Sequence, residues 1–125
     1  MSFYDRQNEW VLAHPTVCQP LSHRQALNLI ARVCKRHGLS TPILLVVDRI
    51  GCEVGGKYCD GVISIPGFPV ERWIVWHELA HHGCDTRARR PDAVQHGVGF
   101  RRWFLRVVGV EAGPRVAESL RRLLE

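Results

Sequence analysis

Apolar positions recur along this chain at two spacings, and each spacing names an element. Ala26, Leu27, Ile30, Val33 and Cys34 repeat at helical spacing and mark one face of a helix. Ser22 opens it with a capping box closed by Gln25, and Gly38 stands where a C-cap glycine belongs. Residues 4–13 read as a shorter helix. Residues 43–48 (Ile-Leu-Leu-Val-Val-Asp) have no polar face and predict a buried strand. Residues 50–54 either continue it or form a second short strand. After the turn signal Gly55-Gly56, residues 57–65 read as one further strand, ending in the alternation Val62, Ile63, Ser64, Ile65 before Pro66-Gly67 breaks it.

The second half reads as helical. Pro69 suits the first turn of a helix that runs to His82 and stops at Gly83. Its apolar residues (Val70, Trp73, Ile74, Val75, Trp76, Leu79, Ala80) lie on several sides, the pattern of a helix buried all round. A polar loop follows from Cys84 to about Gln95. Residues 97–108 predict an amphipathic helix with Phe100, Trp103, Phe104, Val107 and Val108 inside and Arg101, Arg102 and Arg106 outside, ended by Gly109. Pro114 starts a last helix with Val116, Ala117, Leu120, Leu123 and Leu124 on its apolar face. Helices, a few strands, then helices is the order of an α+β domain, and 125 residues suit a single one.

Composition changes this picture little. With 46% hydrophobic and 23% charged residues the chain is that of a soluble globular protein. The longest apolar run, Ile43 to Val47, is far short of the roughly 20 residues that span a bilayer. No basic start followed by an apolar stretch marks export, so a cytoplasmic protein without a membrane partner is expected. Five cysteines (Cys18, Cys34, Cys52, Cys59, Cys84) include no C-x-x-C pair, and the odd number favours reduced thiols over a disulfide framework, although Cys52 and Cys59 could face each other across a hairpin. The net charge of +5 comes nearly all from 15 arginines. It allows an acidic or nucleic-acid partner without implying one, because most arginines alternate with apolar residues as a solvated helix face does.

The chemistry concentrates at His77-Glu78-Leu79-Ala80-His81. Four residues advance a helix by slightly more than one turn, so His77 and His81 project from one face and can share an ion. Glu78, one step around, can reach a water on that ion without ligating it. Neutral imidazoles suit Zn²⁺, and a catalytic site takes three protein ligands plus an open position. Glu78 is then the expected catalytic base. The bland alternative is a buried helix with hydrogen-bonded histidines, but an unpartnered ionised glutamate there is costly. Candidates for the third ligand are His82, Asp85, Asp92, His96, Glu111 and Glu118. His82 points about 100° away from His81 and reads better as a partly exposed helix-end residue. Asp85 or Asp92 would suit a partner behind a ligand histidine. His96 is favoured, because Gly97 beside it lets two backbones approach closely.

The pattern Trp76-His77-Glu78-Leu79-Ala80-His81, a gap of fourteen residues, then His96-Gly97-x-x-Phe100 resembles the SprT-like metalloprotease core. It is also similar to a family of metallohydrolases from actinobacteria and their phages, which share a start like Asp5-Arg6-Gln7 and a strand near Tyr58 to Pro66. The resemblance implies a zincin-like single domain, with a small mixed or antiparallel sheet packed on the H-E-x-x-H helix and helices flanking it. It implies zinc on His77, His81 and His96, Glu78 as catalytic base, and a protein or peptide substrate. The strand at 57–65 would be the edge that pairs with that substrate, through Tyr58, Val62, Ile63 and Ser64. The chain lacks the C-x-x-C pairs of a zinc ribbon, so crosslink repair on DNA is not implied. ImmA/IrrE-type peptidases also carry H-E-L-x-H, commonly with an acidic third ligand, and become the better comparison if His96 is not one. A zinc module that binds nucleic acid through Arg87–Arg90, Arg101, Arg102 and Arg106, without catalysis, is the competing reading. Tyr58, His82 and Arg101 are the residues considered for stabilising an oxyanion.

Overall fold

A computed structural model describes residues 2–47, 55–87 and 96–125, excepting the side chains of 86 and 87. The expectations for residues 50–54, Cys52, Asp92 and most of the arginine tract at 87–90 lie outside these residues.

Local signals set the first two helices. In α1 (Phe3–Ala13) Ser2 and Asp5 form a capping box. In α2 (His23–His37) Ser22 and Gln25 do the same, and Gly38 closes the helix at φ 66°, the left-handed conformation that glycine adopts without strain. Leu29, not Leu27, completes the buried face of α2; Leu27 is 43% exposed.

The strand region differs from the expectation in two ways. β2 (Ile43–Val46) lies at an edge of a three-stranded sheet of order β2-β4-β3, and Ile43, Leu45 and Val46 are exposed, so the strand read as buried is largely open. The single strand expected over 57–65 is a hairpin: β3 (Lys57–Cys59) turns back into β4 (Val62–Ile65). Asp60 and Gly61 both take positive φ, 46° and 82°, as a tight two-residue turn between antiparallel strands requires. β4 runs parallel to β2 and antiparallel to β3, so the sheet is mixed. A second pairing joins β1 (Pro20–Leu21) to β5 (Val70–Glu71).

β5 also takes the residues expected to begin the next helix. That helix, α3, spans Arg72–Arg87, running through Gly83 and into the segment expected as loop. Trp73, Val75, Trp76, Leu79 and Ala80 are all buried, as befits a helix apolar on every side. The β3–β4 hairpin side, α2 and α4 (Val98–Ala112) surround it. Gly83 sits inside the helix because α4 crosses there: a Cβ would lie 2.6 Å from the Trp103 ring. Gly109, expected to end α4, is likewise internal, and Gly113 ends the helix. α5 (Pro114–Leu124) then packs on α4 and α1. The result is a small α+β fold of five helices and two small sheets among the described residues.

Cys18, Cys34 and Cys59 are free thiols. Burial in the α2 core pushes Cys34 up to about 11, whereas Cys59 is exposed on the hairpin. At pH 8 the raised value alone cuts the reactive thiolate of Cys34 roughly 100-fold. Iodoacetamide is therefore expected to label Cys59 quickly and Cys34 only after denaturation, which peptide mass mapping checks. Rapid labelling of Cys34 in the folded protein would contradict this packing.

Candidate metal centre

His77 and His81 lie one turn apart on the middle of α3, with ring centroids 5.0 Å apart. His96, immediately before α4, brings the third imidazole to them; its centroid is 5.1 Å from His77 and 5.0 Å from His81. One ligand nitrogen from each residue lies within 4.8 Å of the others. The three histidines therefore form a cluster able to hold a metal ion. His77 is buried and the other two are half-buried, so the cluster opens on one side of the core.

The Nε2 atoms of His96 and His77 are 3.2 Å apart. Two nitrogens bound at about 2.05 Å to one tetrahedral ion are roughly 3.3 Å apart. At this separation the pair is joined either by one proton or by one cation. Phe100 supplies an apolar wall, 4.9 Å from His77, 4.4 Å from His81 and 4.8 Å from His96, centroid to centroid. Burial, reinforced by the neighbouring imidazoles, holds His77 well below the ordinary histidine range. Burial, with the nearby Arg101 cation adding to it, lowers His96 to about 4. Both imidazoles are accordingly neutral at pH 7, the form that ligates metals.

Glu78 is 2% exposed and its carboxyl is pushed up to about 8 by burial. It lies against Gly56 at the start of the hairpin, where a Cβ would stand 3.1 Å from Glu78 Oε2. The bare glycine thus makes room for the carboxylate.

The remaining expected residues go elsewhere. Glu111 pairs with Arg32 and Glu118 with Arg121, so neither joins the cluster. His82, expected to be partly exposed at a helix end, is instead buried inside α3 at 1% exposure. Its Nε2 lies 2.6 Å from the Ser40 carbonyl and its Nδ1 3.1 Å from the Tyr58 hydroxyl. Tyr58 donates to Asp85 Oδ2 and accepts from the Gly61 amide, and burial pushes its hydroxyl up to about 12. Asp85 therefore supports Tyr58. Arg101 donates to the carbonyls of His96 and Leu124. Tyr58, His82 and Arg101, considered for an oxyanion, thus have structural partners.

The substrate edge expected over 57–65 also needs correction. Val62, Ile63 and Ser64 belong to the central strand, paired with β2 on one side and β3 on the other, so their backbone cannot take an added strand. Only the Tyr58 strand, β3, lies at that edge of the sheet.

Two residues at the site carried no assigned role. Gln7 is 1% exposed, and its Oε1 lies 2.6 Å from His77 Nδ1. Phe3 stacks on His96 with centroids 4.2 Å apart and planes 2° apart. A signal for them exists: Phe3, Gln7 and Trp10 fall on one helical stripe, and an uncharged amide among aromatic residues there calls for a buried partner. Comparison with known proteins finds no matching family model, no similar curated protein and no similar solved structure.

Proposed function

We propose that this chain is a zinc-dependent peptidase on a zincin-like scaffold, holding its metal on His77, His81 and His96. The observation that carries the reading is the convergence of three imidazoles from two separate segments, two of them at the spacing of shared ligands. The donor set fits zinc, since three nitrogens leave a fourth position open. A bound zinc ion supplies Lewis acidity there, lowering the pKa of water toward about 7. Glu78 gives the same support from the other direction. A carboxylate so deeply buried is costly alone, and a dication held by the three histidines would offset that cost and keep Glu78 ionised.

In this reading Glu78 accepts a proton from the attacking water and delivers it to the leaving amine. Gly56 keeps space for its carboxylate, and Phe100 excludes bulk solvent from one side of the imidazoles. The edge strand β3 offers backbone groups to an extended peptide, the substrate class the reading favours.

Protein purified without chelators is expected to contain one zinc per chain by elemental analysis. His96→Ala should reduce this to a small fraction. In metal-free protein, zinc at about 1,000 times its dissociation constant should contribute about 4 kcal/mol, raising the melting temperature by more than about 10 °C. Wild-type protein that neither contains nor takes up zinc would end this reading.

Of the arginines behind the nucleic-acid reading, Arg89 and Arg90 lie outside the described residues, while Arg101 and Arg106 have contacts within the fold. Arg32 and Arg121 are paired with carboxylates, Arg72 and Arg106 lie over Trp76 and Trp103, and Arg101 serves backbone carbonyls.

A further inference from the structure

We propose that α1 is a built part of the metal centre, with Gln7 as the residue that positions His77 and Phe3 as the one that holds the plane of His96. The inference rests on the zinc reading and extends it to an element outside both ligand segments.

Gln7 and Phe3 are one helical turn apart on α1, and they reach ligands on different elements. Gln7 Oε1 is only an acceptor, so its 2.6 Å contact requires His77 Nδ1 to carry the proton. The neutral ring then turns its Nε2 lone pair toward the cluster, where His96 Nε2 lies 3.2 Å away. The opposite tautomer would set lone pair against lone pair at Gln7 and point a proton at the ion's position. An amide fixes this without adding charge beside the cation. Phe3, stacked on His96, leaves that ring little freedom to rotate about its own Cβ–Cγ bond.

Positioning needs a rigid support, and α1 has one. Ser2 and Asp5 cap its first turn. Trp10, fully buried, donates from Nε1 to the Val116 carbonyl at 3.0 Å, and Arg6 donates to the Leu123 carbonyl at 3.2 Å. A helix that merely covered the core would have no need of a buried amide aimed at an imidazole.

The test uses the full chain, with zinc affinity measured by competition against a chromogenic chelator. Gln7→Leu fills the same space without an acceptor and should weaken zinc binding 10–100-fold. Its metal-free melting temperature should stay within a few degrees of wild type, and Gln7→Glu should restore most of the affinity. Nitrogen-15 NMR of the metal-free wild-type protein should find the His77 proton on Nδ1, a signature that a packing role would not set. Unchanged zinc affinity in Gln7→Leu, with zinc bound by wild type, overturns the role of Gln7 alone. A His77 proton on Nε2 also overturns it, and decides the matter even if Gln7→Leu fails to fold. Wild-type protein that binds no zinc overturns this inference together with the reading beneath it.

Discussion

Glu78→Gln is expected to keep its zinc and lose hydrolysis by a factor of at least about 10²–10⁴. The substitution changes almost nothing else. Glutamine matches glutamate in volume, which matters at a position 2% exposed and packed against Gly56. The three imidazoles are untouched, so the donor set for the ion is preserved. What disappears is a group able to take a proton and give it back. The variant also removes a carboxyl that burial holds far above its ordinary range, so its fold has no reason to weaken. Zinc content measured beside turnover of a fluorogenic peptide mixture separates the two effects. Retained turnover in a zinc-loaded variant would strip Glu78 of its role, whereas loss of zinc would assign it to holding the ion.

The second large effect is expected at Gly83. In an isolated helix, alanine for glycine would add about 1 kcal/mol of stability. Here the added Cβ would stand 2.6, 2.7 and 3.0 Å from three carbons of the Trp103 indole. Trp103 is hemmed in from elsewhere, by the edge of His37 at 5.9 Å and by the Arg106 guanidinium 4.6 Å from its centroid. Overpacking of this kind costs about 1–3 kcal/mol, and the nearness of three ring atoms places Gly83→Ala toward the upper end. After the gain in helix propensity, the net loss is about 1–2 kcal/mol, or roughly 4–8 °C in melting temperature. Function should suffer as well. Gly83 sets how closely α4 approaches α3, and His96 stands at the head of α4 while His77 and His81 stand on α3. Weaker zinc binding in Gly83→Ala is therefore expected, with part of both losses recovered when Trp103→Leu is added. A variant more stable than wild type would show that helix propensity, not contact with the indole, governs this position.

Much of the site was legible along the chain, for a physical reason. H-E-x-x-H is a statement about a single helix turn, and helical geometry alone puts His77 and His81 on one face. The same holds for Ser22 with Gln25 and for Gly38, because a cap involves only neighbouring residues. The turn at Asp60-Gly61 was missed: an Asp-Gly pair is a signal for a two-residue turn, but the run from Lys57 to Ile65 reads as one strand. His96 required a step further, since its closeness to His77 depends on how α4 crosses α3.

Tertiary packing decided the rest. Glycine is a stop signal when only its neighbours count, yet Gly83 continues its helix because a tryptophan on the next helix needs the space. β2 reads as buried from its composition but stands at an edge, since composition carries no information about how many neighbours a strand acquires. Gln7 and His77 are 70 positions apart, and their contact exists only because α5 and the core hold α1 against the site. The sequence by itself determined which residues can ligate a metal and which helix carries two of them, because those properties are fixed within one or two turns of chain. Which third residue joins them, what orients them and how tightly the helices close around them follow from the packing of distant segments, where close contact overrides local preference.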